Sequence, residues 1–134
     1  MIIHNRIFLS VFTLLSLSLF TACTDETNHD KAIEHKLIGT WHKEFKQKNR
    51  IMRVVTKFTK DHRFATYARV GHSHRKFYAV GRWHVKYGTL VEYTTKSNYV
   101  RAKTRTYDKI LSIRYKQFAY KTEDGEVFSY YRSR

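Results

Sequence analysis

From Gly39 onwards, apolar and polar residues alternate with a period of two. In the most regular stretch, Phe77, Ala79, Gly81, Trp83 and Val85 occupy every second position, and the residues that flank and separate them are mostly basic or aromatic: Lys76, Tyr78, Val80, Arg82, His84 and Lys86. Successive side chains of a β-strand point to opposite faces, so this alternation predicts strands with one buried and one solvated face. Turn-forming residues separate such runs at 59–62, 87–88, 97–98 and 124–125. The pattern therefore predicts an antiparallel meander.

We predict about eight short strands, at 40–48, 51–59, 63–71, 75–86, 89–96, 100–108, 109–121 and 126–132, with 109–121 split or bent. In a meander without disulfides, the simplest way to remove the two exposed edge strands is to pair them with each other and so close the barrel. The predicted fold class is therefore all-β, a small antiparallel up-and-down barrel. One or two helical turns are expected over 31–37, after Asp30, where Ile33 and Leu37 stand four residues apart.

The N-terminus has the character of an export signal. Ile7 to Phe20 is uncharged and follows a short segment that carries Arg6. A helix of that length spans about 21 Å, which is less than the roughly 30 Å of a bilayer's hydrocarbon core. A cleaved signal peptide is therefore favoured over a membrane span.

The residues Leu19-Phe20-Thr21-Ala22-Cys23 resemble the lipobox of bacterial lipoproteins, although Phe20 replaces the usual Leu. The resemblance implies cleavage before Cys23, lipidation at that residue, and a membrane anchor. Thr24 in place of Asp implies, by analogy with lipoprotein sorting, an outer-membrane location facing the periplasm. The alternative is an ordinary signal peptide followed by an incidental Cys. A lone Cys in an oxidising compartment favours the anchor, since acylation removes the free thiol.

These observations divide the chain into three parts. Residues 1–22 form the predicted lipoprotein signal peptide, and residues 23–35 the lipidated N-terminus and a flexible tether. Residues 36–134 form the barrel domain. The tether is expected because 24–30 is polar and has no apolar periodicity.

The start of the first strand, Leu37-Ile38-Gly39-Thr40-Trp41, resembles the G-x-W motif of the lipocalin superfamily. The resemblance implies that Gly39 and Trp41 close the barrel floor and that Arg132, near the end of the last strand, packs over the Trp. It also implies carriage of a small apolar or amphipathic ligand. An eight-stranded barrel is just wide enough to be filled by side chains or to hold one small ligand, so an open and a filled lumen are both possible. The residues expected to face a ligand are Phe77, Trp83, Tyr107 and Tyr115, with core packing as the alternative for both Trp residues.

Charge gives the second functional hypothesis. The chain has 26 Lys and Arg against 11 Asp and Glu, a formal net charge of +15. A basic barrel exterior would attract anionic lipid, lipopolysaccharide, cell-wall polymer or a protein partner. The residues assigned to that surface are Lys43, Lys46, Arg53, Lys57, Arg82 and Lys86. Simple solubility is the alternative, and nucleic acid is not an expected partner of an exported protein.

The sequence contains no hydrolase or transferase motif: it lacks a nucleophile elbow, a phosphate-binding Gly loop and an H-E-x-x-H pair. His72 and His74 have a spacing that permits a metal chelate, but no third ligand is identifiable. We therefore predict no enzyme activity, no metal and no cofactor. The two hypotheses are a lipid-anchored ligand carrier and a non-carrier envelope protein acting through its basic exterior.

The anchor can be tested directly. We expect the mature product to begin at Cys23 and to carry the mass of two or three fatty chains, because one acyl chain holds a protein only marginally. Mass spectrometry of the purified protein measures this. An uncut, unmodified leader, or a mature start elsewhere, would refute the assignment.

Overall fold

One helix and eight strands make up residues 25–133, which are the residues that the computed structural model describes. The predicted signal peptide and Cys23 lie outside them. Helix α1 covers 25–37. The strands are β1 Gly39–Gln47, β2 Arg50–Phe58, β3 Arg63–Val70, β4 Lys76–Lys86, β5 Thr89–Ser97, β6 Arg105–Arg114, β7 Gln117–Lys121 and β8 Val127–Arg132.

Each strand pairs antiparallel with the next, and β8 returns to pair with β1, which closes the barrel. The closing pair is short, with Trp41 opposite Arg132 and His42 opposite Tyr131. The inner face carries the apolar positions of the period-two pattern, including Phe64, Ala68 and Ala79. The predicted all-β, eight-stranded up-and-down barrel is therefore confirmed.

The predicted boundaries are wrong for the sixth and seventh strands. Residues 98–104 form a connection rather than the start of a strand, and β6 runs on to Arg114 before a turn at 115–116. The Asn98 side chain holds the connection by accepting from the Tyr78 amide at 2.8 Å and donating to the Lys76 carbonyl at 2.9 Å. The Tyr115-Lys116 turn contains no Gly, Asn or Asp, so no residue typical of turns marks it in the sequence.

The helix is longer than predicted, and residues 25–30 are helical rather than an irregular tether. The Asp30 carboxylate accepts hydrogen bonds from the Tyr87 and Gly88 amides at 2.8 and 2.9 Å. Glu34 accepts another from the Val85 amide at 2.8 Å. These contacts fix the helix to the end of the β4–β5 hairpin, and Ile33 belongs to the buried core.

Trp41 forms the floor of the barrel beneath the helix. It is fully buried, and its indole N–H donates to the Leu37 carbonyl at 2.7 Å. Phe118 meets the indole edge-on with ring centroids 4.8 Å apart. The Arg132 guanidinium lies 4.4 Å from the Trp41 ring centroid, a favourable cation–π distance.

Arg132 joins three segments at this end. Its guanidinium donates to the carbonyls of Tyr115, Ile38 and Lys36, at 2.9, 3.0 and 2.6 Å. Gly39 has a φ of +139°, and a Cβ there would lie 2.5 Å from the Arg132 Nη1. Gly39, Trp41 and Arg132 thus adopt the arrangement that the lipocalin resemblance implies.

The eight strand pairings of the closed barrel and the hydrophobic core described here lie within residues 25–133. A segment with a closed hydrogen-bond ladder and its own core has what independent folding requires. The segment 25–134 is therefore suitable for measurements in solution.

We expect Arg132→Ala to lower the free energy of unfolding by about 2–3 kcal/mol, because it leaves three carbonyls without their donor and removes the cation–π contact. Arg132→Lys should rescue little, since one ammonium cannot reproduce the planar fork. Urea unfolding of the segment 25–134 measures both. Arg114→Ala, which removes an exposed strand arginine, is the control; equal losses for the two alanine variants would contradict the assigned role.

Candidate functional site

The barrel contains a cavity of about 730 Å³. Its lining extends from Phe58, above the Trp83 side chain, to the connections at 98–104 and 122–126. The helix closes the opposite end, where Leu37 is fully buried. The lumen is therefore not filled by its own side chains, which settles the choice that the sequence left open.

Apolar side chains form most of the wall, and they come from the inward positions of β1 to β4 and β8. They include Phe45, Met52, Val54, Phe64, Phe77 and Phe128. Small residues opposite them, Ala68 and Ala79, leave the space that makes the cavity. The arrangement suits the apolar body of a small molecule.

Charged residues also line the cavity. They are one cation and four carboxyl groups: Lys43, Glu92, Asp108, Glu123 and Asp124. In a chain with 26 basic and 11 acidic residues, this excess of acid is the reverse of the overall composition. The lumen is thus electrostatically distinct from the rest of the protein.

Lys43 lies inside the barrel, so its assignment to a polyanion-binding surface was wrong. Strand alternation puts Lys43 on the same face as Trp41 and Phe45. Its ammonium donates to the Tyr120 hydroxyl at 2.5 Å and lies 4.5 Å from the Phe128 ring centroid. Burial lowers the Lys43 pKa, and the negative charges of Asp108 and Glu92 partly oppose that shift.

Glu92 and Asp108 are the site residues that sequence reasoning missed, because it treated the acids as scattered. Burial raises the pKa of Glu92 to about 7, with Asp108 adding to the rise and Lys43 opposing it. Burial likewise raises the pKa of Asp108 to about 6. The available signal was position: Glu92 stands between Leu90 and Thr94 on the inner face of β5.

A hydrogen-bonded group lies deeper in the lumen. The Tyr130 and Thr56 hydroxyls are 3.2 Å apart, and Thr56 shares a second hydrogen bond with Thr66 at 2.9 Å. Burial raises the pKa of Tyr130. The Tyr130 ring stacks on Phe118 at 5.0 Å, which connects the cavity wall to the floor.

Among the residues predicted to face a ligand, only Phe77 lines the cavity. Trp83 is buried beneath it, edge-on to Phe58 at 5.1 Å, so it is a core residue. Tyr107 and Tyr115 were wrongly placed inside: they are 44% and 80% exposed. Tyr107 points outward because its neighbour Asp108 points inward, and Tyr115 lies in the turn after β6.

The other residues assigned to the basic surface are exposed on the barrel exterior: Lys46, Arg53, Lys57, Arg82 and Lys86. Strand register places Arg53 opposite Arg69, and Arg69 opposite Lys76. Directly opposed like charges destabilise a sheet. Within 25–133 the ion pairs are Arg53–Glu44 and Arg63–Asp61, so most of this positive charge is uncompensated.

His72 and His74 are exposed in the connection between β3 and β4. The described part of the chain contains no group of three side chains suited to hold a metal ion. It also contains no helix with the length and apolar character needed to cross a membrane.

Comparison of the chain with protein-family models, curated proteins and solved structures finds no match. The chemistry of the cavity is therefore the basis for a functional proposal.

The buried carboxyl groups predict a pH-dependent effect of Glu92→Gln. The pKa of Glu92 is about 7 in the folded state against an ordinary value of 4.5, because burial favours the neutral carboxyl group. The folded state therefore loses stability as the pH rises from 4.5 through 7 and Glu92 becomes charged. We expect Glu92→Gln to raise the free energy of unfolding relative to that of the wild type. This gain should be larger at about pH 8 than at about pH 5, by on the order of 2 kcal/mol.

Urea unfolding of the segment 25–134 at both pH values measures this difference. Glu126→Gln removes an equal charge from the exposed β7–β8 turn and is the matched control. A Glu92→Gln effect that is the same at both pH values, or larger at the acidic one, would contradict burial of a charged Glu92.

Proposed function

We propose that this protein is a lipid-anchored lipoprotein of the bacterial envelope whose barrel binds a small apolar or amphipathic ligand, without catalysis. The observation that carries the proposal is the cavity of about 730 Å³. Ligand sites in proteins commonly measure about 300–1,000 Å³ and combine apolar walls with a few polar groups. This lumen has that composition, with Phe45, Phe77 and Phe128 in its wall and Glu92 and Asp108 among its polar groups.

The contacts that hold the closed end of the barrel together support a preformed site. The floor is fixed by Trp41, and the helix is bound to the barrel through Asp30 and Glu34. A closed sheet holds its inner side chains at fixed positions, so a ligand entering from the open end would find most of the wall already formed. Attachment through Cys23 would keep such a binding protein at the outer membrane, facing the periplasm.

The uncompensated exterior charge favours the second candidate, a barrel that engages anionic headgroups or polymers. The row Arg53, Arg69 and Lys76 is the specific observation behind it. We rank it below ligand carriage because an open lumen has no use in a protein that acts through its outer face alone. In an anchored protein the two roles are compatible.

Filling the lumen tests the main proposal. Ala68→Phe projects a ring from β3 into the cavity, and Ala65→Phe on the same strand projects one outward. We expect the segment 25–134 to bind the neutral dye Nile red saturably, with affinity reduced about tenfold or more by Ala68→Phe, equivalent to about 1.4 kcal/mol. The control should bind as the wild type does.

Dye fluorescence and energy transfer from the Trp residues measure the binding, and circular dichroism verifies that each variant is folded. Absence of saturable dye binding by the wild type would overturn the proposal. Equal binding by both Phe variants would place the dye outside the lumen, with the same consequence.

A further inference from the structure

We propose that the ligand of this lumen is a cationic amphiphile, an apolar body that carries one ammonium-type head held between Glu92 and Asp108. The inference rests on the proposed function, because it names the chemical class that the same cavity accepts. It is carried by the placement of the charged side chains inside the barrel.

The two carboxyl groups stand next to each other on neighbouring strands. In the β5–β6 register Leu90 pairs with Asp108 and Glu92 pairs with Thr106, so Glu92 and Asp108 are diagonal neighbours on the inner face. Diagonal neighbours in an antiparallel pair are separated by roughly 7–8 Å. Two acidic side chains that leave the sheet at that spacing can both reach one small cationic group lying between them.

Neither carboxyl group forms a salt bridge, and the charge of Lys43 acts on both of them only at longer range. Within the described part of the chain, no Lys, Arg or His nitrogen lies within 4.0 Å of the Glu92 or Asp108 oxygens. The hydrogen-bond donor to Glu92 is the Thr106 hydroxyl at a long 3.5 Å. Partly buried carboxylates with no cation in contact are costly, and an entering ammonium group would supply a closer counter-ion than Lys43.

Lys43 does not fill that role because other groups already surround its ammonium. The Tyr120 hydroxyl accepts its hydrogen bond, and the rings of Phe128 and Tyr130 lie 4.5 and 4.9 Å away. An anionic ligand would gain Lys43 at most, while it would also approach four carboxyl groups of the lining: Glu92, Asp108, Glu123 and Asp124. The lumen therefore discriminates against anionic amphiphiles.

The walls match the remaining parts of such a ligand. Phe77 and Tyr99 meet edge-to-face with centroids 6.0 Å apart, and both line the cavity. Burial and the nearby charge of Glu92 raise the pKa of Tyr99, so this ring lies close to one of the two carboxyl groups. Aromatic faces bind ammonium groups through their quadrupoles. Val54 and Phe64 offer an apolar surface for a chain.

The basic exterior attracts anions, so the test must distinguish binding in the lumen from binding at the outer surface. Three probes share one alkyl chain and differ in the head: dodecyltrimethylammonium, dodecanol and dodecanoate. Each competes with Nile red for the segment 25–134 near pH 8, where Glu92 and Asp108 are ionised. Salt at about 0.15 M screens the exposed charges beyond about 8 Å.

We expect the ammonium probe to displace the dye at a concentration about tenfold below that of dodecanoate, which corresponds to about 1.4 kcal/mol. Glu92→Gln and Asp108→Asn should each weaken the ammonium probe about tenfold and leave dodecanol unchanged, as expected for electrostatic attraction between a cation and a carboxylate in a partly desolvated site. Glu126→Gln, outside the lumen, is the matched control and should change neither.

The outcomes separate this inference from the proposed function. If neither Nile red nor dodecanol binds, the proposed function fails and this inference fails with it. If both bind but dodecanoate competes as well as the ammonium probe, or the two carboxyl variants behave as the wild type does, carriage stands and the cationic class is wrong. Circular dichroism of each variant ensures that a loss of affinity is not a loss of fold.

Discussion

The closure of β8 onto β1 is the constraint on which the rest of the structure depends. These strands pair at only two positions, whereas β1 and β2 pair at nine, so main-chain hydrogen bonds contribute little at this joint. Arg132 compensates by binding three carbonyls, two at the end of the helix and one in the β6–β7 turn, and by covering Trp41. The joint thus depends on one side chain whose planar, five-donor head satisfies several acceptors at once.

Closure also produces the separation of charge between the two faces of the sheet. Once the barrel closes, every second residue of a strand points into a confined space and its neighbours point to solvent. The exterior receives most of the basic residues, while the interior receives Lys43, Glu92 and Asp108 together with the apolar set. A buried ionisable group destabilises a small fold, so its retention beside a cavity is most simply explained by function.

The helix makes the two ends of the barrel different. It covers the end where Leu37, Trp41 and Phe118 are packed, and leaves the cavity to open between the connections at 98–104 and 122–126. In the proposed function, the lipidated segment precedes this helix in the chain, and the helix itself is bound at the closed end.

The sequence alone determined the all-β fold, the number of strands and their antiparallel order, because a period of two with recurring turn residues is a local property of the chain. It also identified Gly39, Trp41 and Arg132 through a resemblance. It did not determine which face Tyr107 and Asp108 occupy, since β6 is irregular between Ile110 and Ser112. Lys43 was assigned to the exterior for its charge, although it alternates in phase with Trp41 and Phe45. The helix over 25–30 likewise depends on Asp30 meeting Tyr87 and Gly88. Only the tertiary structure decided that the lumen is open and acidic, because a cavity is the space that distant side chains leave unfilled.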